Sequence, residues 1–417
     1  SLTGGMAWEA LNNIASDPKR RAIIVVNDNG RSYAPTIGAF ARHLDLLRSS
    51  QNYEKALSWG KRTLMNFGEP GRATYGALHG LKTGLKDTLI PQAMFEDLGL
   101  KYLGPVNGHD IAAMEEIFNR ARELHEPVLI HVMTQKGRGY TPAEEDIADR
   151  FHAVGKIHPE TGLPIAPARF AWTSVFADEI RKIAHERADI VGITAAMMLP
   201  VGLGPFKDDY PDRVVDVGIA EQHAVAAAAG MAFAGAHPVF AVYATFLNRA
   251  FDQILMDVGL HHCGVTFVLD RAGITGDDGA SHNGMWDISM LNSVPGLRLA
   301  APRDEATLRE ELREAVAVGD APTVLRYPKG ALSDPIVQLR REGGCDVLKD
   351  WDEKSALPRV CIVALGSMVP AALESAARLE EEGKASVRVV DPRWALPVPE
   401  ALVSLAKGAD LVLSIED

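Results

Sequence analysis

Short runs of apolar, β-branched residues alternate along the chain with longer segments in which apolar residues recur every three or four positions. A run such as Ile23-Ile24-Val25-Val26 has no polar alternation, which is typical of a strand buried on both faces. Such an alternation of strands and helices indicates an α/β protein with parallel sheets. The predicted strands cover residues 22–26, 127–132, 189–194, 213–219, 238–244, 265–269 and 323–326.

Two of the intervening segments have a clear helical pattern. A helix-like run over residues 6–15 follows a glycine-rich start, and a second helix is predicted over residues 111–121. In the second helix the apolar positions are spaced so that they share one face. That face consists of Ile111, Met114, Ile117, Phe118 and Ala121.

Two stretches without a convincing period divide the chain. Residues 153–165 contain several prolines and glycines, and residues 331–354 are charged and irregular, so both are predicted linkers. We therefore predict three α/β units over residues 1–152, 166–330 and 355–417. The third unit is too short for a complete domain, and both ends of the chain look cut from a longer protein.

Composition narrows the class of protein. The chain has 417 residues, of which 47% are hydrophobic and 24% charged, as in ordinary globular proteins. No apolar run approaches the ~18–20 residues that cross a bilayer. The net charge of −12 argues against broad binding to nucleic acid or anionic membranes. Three widely separated cysteines argue against a disulfide framework and favour a reducing cytoplasm.

Polar residues follow several predicted strands at the point where each strand ends. Ligands of α/β sheets bind outside the carboxyl ends of strands, so these residues are candidates for a site. Three of the four segments also have a simpler explanation: a turn for Asn29, a helix cap for Glu221, and core packing for Tyr243 and Phe246. The segments concerned are Asn27-Asp28-Asn29-Gly30, Gly218-Ile219-Ala220-Glu221, Tyr243-Ala244-Thr245-Phe246 and the glycine-rich loop from Asp270 to His282.

These segments, in this order, resemble the 1-deoxy-D-xylulose-5-phosphate synthase family, whose members are transketolase-like and depend on thiamine diphosphate. The resemblance covers essentially the whole chain. It rests on the blocks NDNGRSYAPTIG, FEDLGLKYLGPVNGHD, QKGRGYTPAE, GIAEQHAV, YATFLNRAFDQ, DRAGITGDDGASHNGMWD and RYPKG. One departure is Asn107, where the family usually has aspartate, and we assign no role to it.

The resemblance implies a thiamine diphosphate-binding fold of successive parallel-sheet domains. Residues 1–152 would be the carboxyl-terminal part of the domain that binds diphosphate and magnesium. Residues 166–330 would be the pyrimidine-binding domain, and residues 355–417 part of a transketolase C-terminal-like domain. The family's Gly-Asp-Gly motif, whose aspartate is a metal ligand, would lie immediately upstream of Ser1.

The resemblance also implies an activity. The family is a transferase that makes 1-deoxy-D-xylulose 5-phosphate from pyruvate and D-glyceraldehyde 3-phosphate with release of CO2. This is the first step of the non-mevalonate route to isoprenoid precursors, and it also feeds thiamine and pyridoxal synthesis. Thiamine diphosphate and Mg²⁺ are the implied cofactors. We expect a cytoplasmic homodimer that binds neither nucleic acid nor membrane.

The same resemblance assigns site residues. Glu221, which should control the tautomer of the cofactor's pyrimidine ring, is the expected catalytic residue together with His282 and His152, which should handle protons. The implied metal ligands are the Asn29 side chain and the Arg31 carbonyl. The implied cofactor-binding residues are Ser1, Asn29, Lys136, Tyr140, Glu221, Tyr243 and Phe246. The implied substrate-binding residues are Tyr243, Arg249, Arg271, Asp278, His282 and Arg326, with Arg271 and Arg326 chosen for the phosphate group.

Some alternatives stay open. Transketolase and the first component of a 2-oxo-acid dehydrogenase use the same cofactor on a similar fold, although the blocks quoted above favour the synthase. The chain could instead be a cofactor-free dimerisation body, since the upstream aspartate is not in it. Among single residues, Lys136 could be a solvated surface cation, and Arg249 could pair with Asp252 in its own helix.

Overall fold

A computed structural model describes residues 2, 4–31, 34–39, 41–44, 93–147, 149–152, 154–165 and 171–417. The chain divides into two compact units, residues 1–152 and residues 153–417. In the parts of the chain that are described, no helix is both long enough and apolar enough to cross a membrane.

The described strands of the first unit form a parallel sheet in the order β1-β3-β2. These strands are β1 (Ile23–Asp28), β2 (Lys101–Asn107) and β3 (Val128–Met133). The central strand β3 is the most deeply buried, because apolar clusters cover the sheet on both of its faces. The helices of this unit whose bounds are described are α1 (Gly5–Ala15), α2 (Ala93–Asp97), α3 (Ile111–Glu123) and α4 (Thr141–Glu145).

The second unit contains two sheets. The larger has seven strands in the order β14-β8-β9-β7-β6-β4-β5, and every neighbouring pair is parallel except β14 with β8. Its strands are β4 (Ile190–Thr194), β5 (Val214–Asp216), β6 (His237–Tyr243), β7 (Thr266–Ala272), β8 (Arg298–Ala300), β9 (Thr323–Pro328) and β14 (Trp394–Leu396). The interior strand β6 is buried along its whole length, as expected for a parallel strand covered on both faces.

The second sheet of this unit has five strands in the order β10-β11-β13-β12-β15. These are β10 (Arg340–Glu342), β11 (Cys345–Lys349), β12 (Arg359–Ala364), β13 (Ser386–Asp391) and β15 (Leu411–Ile415). Apolar clusters lie on both faces of this sheet, so it has a core of its own.

The helices of the second unit connect and cover these strands. They are α5 (Trp172–Glu186), α6 (Gly204–Asp209), α7 (Glu221–Phe233), α8 (Ala244–Leu247), α9 (Phe251–Gln253), α10 (Asp287–Leu291), α11 (Glu305–Ala317), α12 (Val369–Glu381) and α13 (Glu400–Ala406), with a π-helix over Ile254–Gly259.

The structure confirms the predicted α/β class and a strand at each of the seven predicted positions. It differs in four details. The strand predicted over residues 213–219 is only Val214–Asp216, since the following residues turn towards α7. Strand β1 is not buried on both faces, because it lies at the edge of the described sheet and Ile23 and Val25 are exposed.

The other two differences concern a helix face and a linker. Ile111 lies outside the buried face of α3, because it is the first residue of that helix and is 71% exposed. Residues 331–354, interpreted from the sequence as a linker, contain β10 and β11. Both strands pair in the five-stranded sheet, which the charged residues of this stretch did not indicate.

Candidate active site

The loop after β1 is built by two side chains that accept hydrogen bonds from the main chain. Asp28 Oδ1 accepts from the Gly30 N–H at 3.1 Å, and Asn29 Oδ1 accepts from the Arg31 N–H at 3.1 Å. Gly30 adopts a φ of 77°, the left-handed conformation that favours glycine. The loop is therefore held in a defined turn at the carboxyl end of a parallel strand.

A buried chain of hydrogen bonds lies behind this loop. His131 Nε2 lies 2.9 Å from Asp28 Oδ2, and His131 Nδ1 lies 2.8 Å from the Tyr102 hydroxyl. All three side chains are buried. Because an ionised carboxylate only accepts, the neutral His131 ring donates through Nε2 to Asp28 and accepts through Nδ1 from Tyr102. Both carboxylate oxygens of Asp28 are thus engaged, by His131 and Gly30, whereas Asn29 Oδ1 accepts one hydrogen bond, from Arg31, and has a second lone pair for a ligand.

The metal ligands implied for this loop fit magnesium in part. A carboxamide oxygen and a main-chain carbonyl are hard oxygen ligands of the kind that Mg²⁺ prefers. Among the described residues, no group of three or more acidic, histidine or cysteine side chains could hold a metal. Asn29 and Arg31 therefore supply part of a ligand set, and a bound ion would need further oxygen ligands. Ser1, implied to touch the diphosphate, lies outside the described residues.

Lys136 and His152 lie together in the first unit. Lys136 Nζ is 2.7 Å from His152 Nδ1. Burial lowers the pKa of the Lys136 ammonium, with nearby Asp149 acting in the opposite direction. Lys136 is half-buried, so it is not a fully solvated surface cation. Tyr140 packs edge-on against Phe151, with 5.9 Å between the ring centroids.

In the second unit, Glu221 is the first residue of α7 and is almost completely buried. Arg249 Nη1 lies 3.0 Å from Glu221 Oε2, although the alignment of these groups does not make a good hydrogen bond. Burial raises the pKa of the Glu221 carboxyl, and the Arg249 guanidinium opposes part of that rise. Arg249 therefore forms an ion pair with Glu221, a residue of a different helix.

Aromatic rings and an arginine stack at the ends of β6 and β7. The rings of Tyr243 and Phe246 are stacked with centroids 6.0 Å apart, and Phe246 meets the His282 ring edge-on at 5.6 Å. The Arg271 guanidinium lies over the Tyr243 ring, with its Cζ 4.0 Å from the ring centroid, and so makes a cation–π contact. The fold therefore gathers four residues of the predicted site in one cluster.

Arg271 is held in an unusual conformation by a residue that sequence reasoning missed. Its φ is 59°, where a non-glycine residue is strained, and the register of β7 against β9 shifts at this point. Its Nη1 donates to Asp270 Oδ1 at 3.0 Å, and Thr173 Oγ1 donates to Asp270 Oδ2 at 2.6 Å. Burial raises the pKa of the Asp270 carboxyl. The position of Asp270, directly before Arg271 at a strand end, was the available signal.

The glycine-rich loop is closed at its base by a close approach of backbones. Gly273 and Gly284 exchange main-chain hydrogen bonds of 3.1 and 2.8 Å. A side chain at Gly284 would meet Ala244 and would lie 2.8 Å from the Arg271 carbonyl oxygen. Only glycine fits at position 284 without a shift of these neighbours. Gly284 therefore allows the loop that carries Asp278 and His282 to pack against the end of β7.

Arg326 is in a different setting from Arg271. Its Nε donates to Asp287 Oδ2 at 2.7 Å, and its Nη2 donates to the Asp417 carbonyl oxygen at 2.8 Å. The side chains of Arg326 and Asp287 are 7% and 1% exposed. This arginine lies inside β9, which continues to Pro328 rather than ending at Arg326 as predicted, and it is half of a buried ion pair. Its role at a phosphate stays a prediction.

Three family models match the chain. The 1-deoxy-D-xylulose-5-phosphate synthase model matches residues 1–134, the transketolase pyrimidine-binding domain residues 168–335, and the transketolase C-terminal domain residues 350–417. A transketolase from Campylobacter jejuni is similar in fold, with a TM-score of 0.51 at 16% identity over 99% of this chain and 71% of its own. A split-gene transketolase, described as an inactive β4 tetramer, has a TM-score of 0.51 at 28% identity over 60% and 80%. The fold is thus that of the transketolase-like, thiamine diphosphate-binding class.

Sequence relatives define the family within that class. The 1-deoxy-D-xylulose-5-phosphate synthase of Streptomyces griseus is 60% identical over all of this chain and 65% of its own length. Its counterpart from Pseudarthrobacter chlorophenolicus is 59% identical, again over the whole chain and 65% of its length. The chain belongs to the 1-deoxy-D-xylulose-5-phosphate synthase family, and it spans about 65% of the length of these relatives.

Proposed function

We propose that the protein carrying this chain joins pyruvate and D-glyceraldehyde 3-phosphate to make 1-deoxy-D-xylulose 5-phosphate, with release of CO2. The observation that carries the proposal is the buried carboxyl of Glu221 at the start of α7, in a chain 60% identical to a named synthase over its whole length. The product would be a precursor for the synthesis of isoprenoids, thiamine and pyridoxal.

The chemistry that thiamine diphosphate supplies when bound is decarboxylation of a 2-oxo acid and transfer of the remaining two-carbon unit to an aldehyde. Glu221 would hold the pyrimidine ring through a hydrogen bond to a ring nitrogen. Its raised pKa suits a carboxyl that shares a proton with that nitrogen. Arg249, 3.0 Å from Oε2, would orient the carboxyl and limit the rise of its pKa.

Other residues of the second unit would handle the substrates. Tyr243 and Phe246 present a stacked aromatic wall that excludes water, and His282 beside Phe246 would donate a proton to a substrate oxygen. Arg271 would bind the phosphate of the aldehyde, with Arg326 as the second predicted cation. Asp278 would accept a hydrogen bond from a hydroxyl of the aldehyde.

We propose that residues of the first unit bind the charged diphosphate end of the cofactor and its metal ion. The Asn29 side chain and the Arg31 carbonyl would be ligands of Mg²⁺, and Lys136 and Tyr140 would lie at the diphosphate. His152, within hydrogen-bond distance of Lys136, would take part in proton transfer. A homodimer is consistent with the exposed apolar side chains of Phe233 and Leu260 on the second unit. A cytoplasmic location stays a prediction, supported by three buried cysteine thiols.

The proposal is tested by product analysis with the intact protein, thiamine diphosphate and Mg²⁺. Pyruvate with D-glyceraldehyde 3-phosphate should give 1-deoxy-D-xylulose 5-phosphate and CO2, detected by nuclear magnetic resonance and mass spectrometry. Turnover of a ketose phosphate in place of pyruvate would instead indicate a transketolase. Transfer to a lipoyl domain would indicate a 2-oxo-acid dehydrogenase component. No turnover with any of these donors would favour a non-catalytic body.

A further inference from the structure

The loop after β1 is connected to a chain of buried side chains that crosses the described sheet of the first unit. Asp28 belongs to β1, Tyr102 to β2 and His131 to β3, so each strand contributes one residue. Strand β3 lies between the other two, and the His131 ring accordingly bridges its neighbours, 2.8 Å from the Tyr102 hydroxyl and 2.9 Å from the Asp28 carboxylate. The proposed reaction gives no role to Tyr102 or His131.

This polar chain lies in an apolar setting. His131 is 1% exposed, and the residues on either side of it in β3, Ile130 and Val132, are buried and apolar. Burying polar side chains is costly, and replacing both partners of a hydrogen bond by apolar groups of similar shape can be nearly neutral or stabilising. Stability alone therefore gives no reason for a histidine, a tyrosine hydroxyl and a carboxylate at these positions.

At its other end the chain reaches the main chain of the loop. Asp28 Oδ1 accepts from the Gly30 N–H at 3.1 Å, and the Gly30 carbonyl accepts from the Thr36 N–H at 2.9 Å. Because His131 holds Oδ2 while Gly30 holds Oδ1, the Asp28 carboxylate cannot rotate without breaking one of these hydrogen bonds. Gly30 lies between Asn29 and Arg31, the two implied metal ligands, so the orientation of this carboxylate bears on the position of both.

The Tyr102 hydroxyl decides which nitrogen of the imidazole carries the proton. A neutral imidazole has one donor and one acceptor nitrogen. A hydroxyl that donates to Nδ1 keeps the proton on Nε2, where it faces the Asp28 carboxylate, and the opposite tautomer would set two acceptors against each other. The Tyr102 ring is itself stacked on Phe95, with 6.0 Å between the centroids, which fixes the place of the hydroxyl.

We propose that His131 and Tyr102 are positioning residues for a magnesium ion bound by the loop after β1. They hold the Asp28 carboxylate in place, and the carboxylate holds the turn that presents the Asn29 side chain and the Arg31 carbonyl. Residues that orient the ligands of a metal in this way commonly account for about tenfold to a hundredfold in metal affinity. This inference rests on the proposed function and adds two residues to its cofactor site.

Calorimetric titration of the intact protein with Mg²⁺, at a fixed excess of thiamine diphosphate, tests this role without turnover. His131→Phe keeps a ring of similar size but removes both nitrogens, and it should weaken Mg²⁺ binding roughly tenfold to a hundredfold. His131→Gln, whose amide can still donate to Asp28, should restore part of the loss. Tyr102→Phe removes only the hydroxyl and should weaken binding by a smaller factor.

The matched control is Tyr210→Phe, which removes a hydroxyl 2.9 Å from His185 Nδ1 in the second unit. This control should bind Mg²⁺ as the wild type does. Wild-type affinity in both His131→Phe and Tyr102→Phe would overturn the positioning role, and so would an equal loss in Tyr210→Phe and Tyr102→Phe. Thermal unfolding of the cofactor-free variants shows which are folded, and Tyr102→Phe alone decides if His131→Phe is not.

Hydrogen–deuterium exchange of the cofactor-free protein, followed by mass spectrometry, measures the loop directly. Peptides that contain the Gly30 amide should exchange faster in His131→Phe than in the wild type, because the carboxylate that accepts from this amide is no longer held. The same peptides should exchange at the wild-type rate in Tyr210→Phe. Unchanged exchange in a folded His131→Phe variant would contradict the link between the imidazole and the loop.

Binding and turnover separate this inference from the proposed reaction. Wild-type protein that binds Mg²⁺ and thiamine diphosphate but makes no product would contradict the reaction alone, and the affinities of the variants would still decide the positioning role. Wild-type protein that binds no Mg²⁺ in the presence of thiamine diphosphate would contradict both.

Discussion

Replacing Arg326 by alanine tests the burial of its ion pair. From the sequence alone, Arg326→Ala would raise the KM for the phosphorylated aldehyde far more than the KM for pyruvate. In the structure, however, the Arg326 guanidinium donates to Asp287 at 2.7 Å, and the Asp287 side chain is 1% exposed. The substitution would leave this carboxylate buried without its counter-charge.

The expected cost follows from that geometry. Breaking a buried ion pair by removing one partner costs about 3–5 kcal/mol. At roughly 2 °C or more per kcal/mol, the unfolding temperature of the second unit should fall by at least about 6 °C. The added change Asp287→Asn should recover part of this loss, because a neutral side chain needs no counter-charge.

Thermal unfolding followed by circular dichroism measures the effect, with Lys182→Ala as the control. Lys182 pairs with Asp178 at 2.7 Å, but the two side chains are 53% and 45% exposed. Its loss should cost no more than about 1 kcal/mol. If Arg326→Ala unfolds at the wild-type temperature while the KM for the phosphorylated aldehyde rises, the buried-pair argument is refuted and Arg326 acts purely as a substrate ligand.

Three further predictions concern single side chains. Glu221→Gln should lower kcat about 10²-fold or more with little change in thermal unfolding, since a charge-assisted interaction is lost. If kcat stays at the wild-type value, Glu221 serves only as a helix cap. Asn29→Ala should weaken Mg²⁺-dependent binding of thiamine diphosphate in calorimetry, and unchanged affinity would remove Asn29 from the metal site. His237 is buried beside Thr266, and burial lowers its pKa from 6.5 to about 4. The unfolded chain therefore binds a proton at this histidine before the folded chain does, so folding loses about 3 kcal/mol of stability as the pH falls from 6.5 to 4. His237→Gln, which does not titrate, should therefore show a smaller fall in unfolding temperature between pH 7 and pH 5, and an equal fall would contradict the assignment.

Local patterns predicted the elements that are long and uniformly apolar. Strand β6 could be recognised because a parallel strand covered on both faces needs a continuous apolar run. Strand β2 was missed, since its sequence contains Gly104-Pro105 and its stability comes from pairing with β3. The three-residue strands β8, β10 and β14 carry too little pattern to be read locally, and they exist because neighbouring strands offer them hydrogen bonds.

For the site, the sequence by itself determined which residues come at strand ends and which family their order matches. The blocks around Glu221, Tyr243 and Arg271 were sufficient for both, because the carboxyl ends of parallel strands meet at one edge of a sheet. What only the tertiary structure decided is which charges face one another. Glu221 rather than Asp252 pairs with Arg249, Asp287 holds Arg326 in a buried pair, and Asp278 bridges Lys329 and Arg271. Apart from Arg271 and Asp278, these partners are far apart in the chain. The free energy of an ion pair depends on its burial and on the separation of the charges in space, which no local pattern of residues encodes.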